Sequence, residues 1–365
     1  MPNQTFSRLL RVVIAAVAVL ALALPAAALA ASTTTTATPT TTVPSGSGSG
    51  YTTTKSSGPV ALARSTVALS GLVRLGSRQV TTIGRPVHLG VVVGPYVAGQ
   101  RVRIMVRVNR RLTSTLTLPI KPGPGGAYGG FVTNLSAPRA GTVTITIEHL
   151  KTARMAAWTL RAGYLAVVDR AAFGARGFFV QLIQQQLLLR HVYLRPTGVL
   201  DTQTVWALDA YSRLMGLGPS RTLSPRLVND LLAGRGTFPV RYPNQGRHAE
   251  GNLSLQLVAL INGRNVKWIY PISSGKLSTP TIRGSFRIYS RVPGYLPDGM
   301  YYSDFFQGGY AIHGYSPAPG YPASHGCMRL WINDAVGVYN WLALGDWVDT
   351  YGNAPFGWGN GAGRA

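Results

Sequence analysis

The chain has one cysteine, Cys327, and two of its six histidines, His313 and His325, lie close to it in sequence. A thiol becomes a nucleophile when an imidazole can take its proton and the backbone around it is open to substrate. Free thiols titrate near ~8.5, so only a few per cent is thiolate at neutral pH and a neighbouring base matters. Six glycines or prolines separate His313 from Cys327, and Cys327 follows Ser324-His325-Gly326, the composition of a turn. That context argues against a small hydrophobe packed in a core. The same three side chains are also a possible zinc set. Their spacing matches no common structural pattern, and no second cysteine completes one.

His313 and Cys327 are 14 positions apart. Fully extended, that segment would span roughly 46 Å, so the chain must double back to bring base and nucleophile together. Pro317, Pro319, Gly320 and Pro322 supply the turns. His313 ends an apolar run read as a strand, Gly309–Ile312, where it can be held rigidly, and it is the expected base. Ser324 and His325 are expected to shape the turn. The amides of Gly326 and Cys327 are expected to form an oxyanion hole. Arg329 is a candidate for a substrate carboxylate, with phosphate or plain solvent as the other readings. Tyr295–Phe306, rich in aromatics and containing Gly299, reads either as a lid that brings Tyr295 and Tyr302 to substrate or as ordinary core aromatics.

The stretch from His313 through Ser324-His325-Gly326-Cys327 resembles the signature of the L,D-transpeptidase (YkuD-type) catalytic domain, and Thr279-Pro280-Thr281-Ile282-Arg283-Gly284-Ser285-Phe286 resembles that family's Thr-Pro-x-Gly-x-Phe segment. Three residues stand between Pro280 and Gly284 where the family pattern has one, and Arg329 stands where many members have Asn. The resemblance implies Cys327 as nucleophile, His313 as base and the Gly314 carbonyl as the group that orients the base. It implies acyl transfer on peptidoglycan stem peptides through a Cys acyl-enzyme, giving 3→3-type crosslinks, with no cofactor and no metal. Water as acceptor would make the enzyme an L,D-carboxypeptidase. A wall-binding protein without activity is the remaining class. Carbapenem-type β-lactams are expected to acylate the same thiol.

The elements around this segment follow from pattern. Leu253–Ile261 and Val266–Tyr270 read as strands joined by Asn262-Gly263, a strong hairpin signal. Phe286–Ser290 and Trp347–Tyr351 add further strands, and a helix capped by Asn333 or Asp334 runs to about Leu344. The catalytic domain, 248–352, is thus read as mostly β, with a flexible tail over 353–365. Residues 165–235 switch to helical period. Phe179, Leu182, Ile183 and Leu187 share one face, Asp201 caps a helix through Met215 with Val205, Leu208 and Met215 on one face, and Ser224-Pro225 opens a third ending at Gly234. Within them, Gly198–Leu208 resembles the repeat of the peptidoglycan-binding domain (type 1). Arg235–Glu250 reads as a linker.

Residues 63–162 read as an immunoglobulin-like β-sandwich, with strands at Val87–Val93, Val102–Val108 and Thr142–Ile147 separated by Gly/Pro turns. Residues 32–62 form a Thr/Ser/Gly/Pro linker. Residues 1–31 read as a secretory signal: Arg8 and Arg11, an apolar run of thirteen from Val12 to Leu24, and an Ala28-Leu29-Ala30 cleavage site. An uncleaved anchor is the alternative. A lone cysteine in an exported protein suits a free reactive thiol. The net charge of +24, from 35 Lys and Arg against 11 Asp and Glu, favours anionic partners. No basic run interleaved with aromatics points to nucleic acid. The expected location is the cell wall, and the expected partners are stem peptides and anionic wall polymers.

Overall fold

The computed structural model describes residues 64–356. The expected signal and the whole of the expected linker, 1–62, and the expected tail from 357 onward lie outside the described residues. The chain divides into two compact units between Val167 and Val168.

Over its described residues, the first unit is built from ten strands. β1 (Arg64–Ser70), β4 (Val87–Gly94), β8 (Gly129–Leu135) and β7 (Lys121–Pro122) form one sheet in the order β1-β4-β8-β7. β2 (Val73–Leu75), β3 (Arg78–Thr82), β10 (Trp158–Val167), β9 (Gly141–His149), β5 (Arg101–Val108) and β6 (Arg111–Pro119) form the second, in that order. Period-two patterning explains the layering. Val87, Leu89, Val91 and Val93 from the first sheet and Val102, Ile104, Val106, Val143, Ile145 and Ile147 from the second are buried in one shared core. The alternate residues of β5, Arg101, Arg103 and Arg107, point away from it.

The second unit starts with three helices, α1 (Phe178–Leu189), α2 (Thr202–Leu214) and α3 (Pro225–Leu232). Phe179, Leu182, Ile183 and Leu187 are buried on α1. The Asp201 carboxylate accepts the Thr204 amide at 2.8 Å, and the Ser224 hydroxyl accepts the Leu227 amide at 3.2 Å with Pro225 opening α3. On α2 the buried face is Thr204, Ala207, Leu208 and Tyr211, while Val205 and Met215 lie at its margin, a correction to the expected stripe.

A five-stranded sheet follows in the order β13-β12-β11-β19-β14, from β11 (Arg247–Asn252), β12 (Leu257–Asn262), β13 (Asn265–Pro271), β14 (Gly284–Arg287) and β19 (Trp347–Tyr351). A four-stranded sheet runs β15 (Ser290–Tyr295), β16 (Tyr301–Gln307), β17 (Tyr310–Tyr315), β18 (Met328–Trp331), and α4 (Ile332–Trp341) packs on it. Ala249, Val258, Leu260, Tyr270 and Val348 of the first sheet meet Phe306, Ile312, Met328 and Leu330 of the second, and Val338 of α4, in a single core.

Several sequence readings are corrected here. The expected linker ends in β11, the central strand of its sheet. Its polar letters hid it, because His248 and Glu250 are buried and bonded: Glu250 accepts the amides of Arg241 (2.8 Å) and Tyr242 (2.7 Å) and the Tyr351 hydroxyl (2.9 Å). Leu253–Ile261 is not one strand, since the chain turns through Gln256 (φ 53°) before β12. Phe286–Ser290 splits between the two sheets: β14 pairs with β19, and β15 pairs with β16. Helix α4 starts at Ile332 with Trp331 before it, so neither Asn333 nor Asp334 is its cap, and it ends at Trp341. The expected lid is largely the strand β16, fixed between β15 and β17.

Candidate active site

β17 and β18 are parallel neighbours, with Ile312 opposite Met328 and His313 opposite Arg329. Ile312 and Met328 are both buried in the core. Side chains alternate across a sheet, so His313 and Arg329 share the opposite face. Carrying the register back one residue sets Cys327 opposite Ala311, on the same face as His313. Strand spacing of ~4.8 Å and a rise of ~3.3 Å per residue put their Cα atoms about 8 Å apart. The thiol donates to the Gly309 carbonyl at 3.4 Å, and Cys327 is half-buried. Among the described residues His313, His325 and Cys327 form no metal-holding cluster.

His313 is buried. Its Nδ1 lies 2.9 Å from the Gly314 carbonyl, which can only accept. Nδ1 therefore carries the proton and Nε2 is the basic nitrogen. Gly314 has no side chain for a packing reason: a Cβ there would come within 2.7 Å of Ala335 Cβ on α4. Burial, reinforced by the Arg329 cation, pulls the His313 pKa down to about 4. Burial likewise raises the thiol of Cys327, against the opposing effects of a backbone hydrogen bond at Ala311 and of the Arg329 charge. At neutral pH the pair rests as neutral thiol and neutral imidazole. Asp298, on the turn between β15 and β16, pushes both groups upward. Sequence reading missed it; the Pro297-Asp298-Gly299 turn inside the aromatic segment was the available signal.

The Cys turn is held by Ser324, which is fully buried. Its hydroxyl donates to the Cys327 carbonyl at 2.6 Å and accepts the Gly326 amide at 2.9 Å. The Gly326 N–H is therefore committed to Ser324, which corrects its expected place in an oxyanion hole. Gly326 sits at φ 124°, and a Cβ would strike the Tyr310 ring at 2.4 Å. His325 is exposed and reaches only the Lys276 ammonium, at 3.3 Å. The Thr279 hydroxyl donates to the Ser324 carbonyl at 3.1 Å, and the Thr281 hydroxyl accepts the Gly275 amide at 2.8 Å. The Thr-Pro segment is thus a brace for the Cys turn.

A second brace comes from the helices. The Ser274 carbonyl accepts the amides of Ala323 (2.8 Å) and Ser324 (3.0 Å), and the Ser273 hydroxyl accepts the Gly320 amide at 2.7 Å. Ser274 is held by the Gln256 side chain (2.7 and 3.0 Å), and the Gln256 carbonyl accepts from Arg213 of α2 at 3.3 Å. Arg213 pairs with Asp209, both buried. Trp206 of α2 packs against Gly320, and Arg221 lies 4.1 Å over the Trp206 ring and donates to the Pro319 carbonyl at 3.2 Å.

The Arg329 guanidinium lies 3.9 Å over the Tyr315 ring, its Nε buried without a partner. Tyr315 stands edge-on to His313 with centroids 5.8 Å apart. Tyr295 is exposed and packs on Tyr301 with the rings tilted and centroids 4.4 Å apart; Tyr302, at φ 49°, stands edge-on to Tyr301 and Tyr339.

Residues 246–349 match the family model for the YkuD L,D-transpeptidase catalytic domain. No curated protein sequence matches the chain. Among solved structures, the chain is similar to an L,D-transpeptidase from Xylanimonas cellulosilytica (28% identity, 51% of this chain and 98% of that one, TM-score 0.45). It is also similar to one from Stackebrandtia nassauensis (19%, 52% and 98%, TM-score 0.34) and one from Mycobacterium smegmatis (13%, 79% and 100%, TM-score 0.26). The match to the YkuD L,D-transpeptidase catalytic domain thus falls on residues 246–349, the part of the chain that sets the single thiol and the tautomer-fixed imidazole on one sheet face.

Proposed function

We propose that the protein is a peptidoglycan L,D-transpeptidase that forms 3→3-type crosslinks through a Cys327 acyl-enzyme. The observation that carries this is the shared face of β17 and β18, with Cys327 and His313 diagonal to each other and Nδ1 of His313 tied to the Gly314 carbonyl. In the acylation step, His313 Nε2 takes the thiol proton as sulfur attacks the carbonyl of the L,D peptide bond. The C–N bond breaks, the imidazolium returns the proton to the leaving D-Ala amine, and a thioester remains. The side-chain amine of a second stem then attacks the thioester, gives up a proton through His313 and restores the thiol. Because the resting pair is neutral, the base acts during attack, not beforehand. The Cys327 amide is the donor assigned to the developing oxyanion.

Arg329 is assigned to a substrate carboxylate. Its stacking on Tyr315 fixes the guanidinium plane, and its unpartnered Nε favours an incoming anion. Tyr295 and Tyr302 are assigned to the walls of the approach. Ser324 and Gly326 hold the turn, and His325, exposed, has no step. The stretch over Gly198–Leu208 supports contact with peptidoglycan, and the +24 charge supports anionic wall polymers. The location is secreted, at the cell wall. Carbapenem-type β-lactams acylate Cys327 in this reading.

Incubation with stem tetrapeptides and mass spectrometry of the products tests it. Crosslinked dimers support transfer, tripeptides alone mean hydrolysis, and unchanged peptide means binding only. Cys327→Ala and His313→Ala each abolish acylation, while His325→Ala retains it. An inactive His325→Ala with an active His313→Ala reverses the base assignment.

A further inference from the structure

The first unit takes no part in the chemistry above, yet it holds most of the charge. Residues 64–167 contain fourteen Arg and Lys and one acid, Glu148, a net charge of +13 in a chain of +24. The one acid is occupied: Glu148 pairs with Arg103 at 3.4 Å.

Half of these cations lie on strands of the six-stranded sheet. With Val143, Ile145 and Ile147 in the core, β9 presents Thr142, Thr144 and Thr146 outward. Cross-strand register then lays out the face. Thr144 stands between Arg107 of β5 and Gly163 of β10, and Thr146 between Met105 and Arg161. Two strand spacings separate Arg107 from Gly163, about 10 Å, and two residues separate Gly163 from Arg161, about 7 Å. Gly163 is bare because strand packing requires it: a Cβ there would lie 2.7 Å from the Val143 carbonyl. The β2–β3 hairpin, turning at Gly76 (φ 59°), forms the far wall with Arg74 and Gln79. Hairpin, β9 and β10 enclose an open cleft of about 1000 Å³ over Thr142, Thr144 and Gly163.

We propose that this cleft is a binding site for a linear phosphodiester polymer, with Arg74 in its lining and Arg107 and Arg161 flanking the Thr144–Gly163 floor on the same sheet face. The cleft is far larger than one phosphate group needs and is open, as a chain-like ligand requires. Its cations are guanidiniums, whose planar fork matches the oxygens of a phosphate. Threonine hydroxyls on the floor add neutral donors, and a floor without free carboxylates repels no anion. The site stands on the first unit alone, so it holds whether or not the transpeptidase reading does.

The test measures binding of poly(glycerol phosphate) to the full-length chain by calorimetry at several NaCl concentrations, beside polygalacturonate and inorganic phosphate. The expected result is affinity for the phosphodiester polymer that falls steeply with salt through counterion release, and none measurable for inorganic phosphate. The triple variant Arg74→Ala/Arg107→Ala/Arg161→Ala loses tenfold or more and flattens the salt dependence. Lys121→Ala/Lys151→Ala/Arg154→Ala removes the same charge elsewhere in the unit and changes affinity less than threefold. Cys327→Ala binds like the parent. Equal losses in the two triple variants would mean a diffuse field without a site and would overturn the proposal. So would absent binding to the phosphodiester polymer, or equally tight binding of polygalacturonate.

Discussion

Gly320→Ala probes the contact between α2 and the loop that joins His313 to Cys327. Gly320 has φ 83° and is buried, with its amide on the Ser273 hydroxyl. A left-handed conformation at a residue with a Cβ costs about 1–2 kcal/mol. The new methyl would lie 2.7 Å from the Trp206 ring and 2.9 Å from the Arg213 guanidinium. Overpacking of that kind costs about 1–3 kcal/mol, and a stiffer unfolded chain returns about 0.4–1 kcal/mol. The net is a loss of about 2–4 kcal/mol. For a unit of this size that lowers the melting transition by roughly 5–15 °C. Differential scanning calorimetry reads this directly, and the alkylation rate of Cys327 reports whether the loop shifts while the unit stays folded. Adding Trp206→Ala should remove the steric part and leave the backbone part, a coupling of about 1–3 kcal/mol in the double-mutant cycle. A Gly320→Ala protein with the parent's melting temperature and the parent's thiol reactivity would refute the packing of α2 against this loop.

Buried His313 gives a pH signature. Its folded pKa, near 4, lies below its unfolded value of 6.5, so the folded state resists protonation. The stability tied to the neutral ring is present above pH 6.5 and lost as pH falls through 4, about 3 kcal/mol in all. Denaturant curves of the parent and of His313→Gln should diverge by that amount between pH 7 and pH 4; parallel curves would contradict it. Asp334 behaves oppositely. Burial pushes it up to about 7, so its contribution is present below pH 3.8 and lost as pH rises through 7. Asp334→Asn, which keeps an acceptor for Gln203, should stabilise at pH 8 and be neutral below pH 4 in the same assay. Ser324→Ala strands the Gly326 amide and the Cys327 carbonyl. It should destabilise by about 1–3 kcal/mol and slow acylation of Cys327, read by mass spectrometry of the acyl-enzyme.

Local rules explain what was legible. Period-two runs marked β4, β5 and β9, Asn262-Gly263 marked a hairpin, and Asp201 and Ser224-Pro225 marked two helix starts, because each signal sits in a few adjacent residues. The site was legible as a list, since Cys327 has no rival and His313 follows an apolar run; the strand was expected to stop there, but β17 carries on through His313 to Tyr315, because Gly314 and Tyr315 keep pairing with Leu330 and Trp331. What escaped depends on distant partners. Strand β11 spells Arg-His-Ala-Glu-Gly-Asn, and it takes the His248 ring, the amides of Arg241 and Tyr242 and the hydroxyl of Tyr351 to make Glu250 acceptable inside a sheet. The Gly326 amide looked available until Ser324 was seen to hold it. The tie from Arg213 through Gln256 and Ser274 to the Cys turn spans more than a hundred residues and leaves no local trace.

That tie bears on how such proteins can be recombined. Trp206, Arg213 and Arg221 are spelled in a segment that looks like an exchangeable targeting module, while the loop they steady belongs to the enzyme. A chimera that kept residues 246–349 and replaced the helices with a foreign module would inherit the thiol and the imidazole without their scaffolding. The natural cut point for grafting therefore lies near Val167/Val168, upstream of the helices, and helices and enzyme are expected to travel as one cassette.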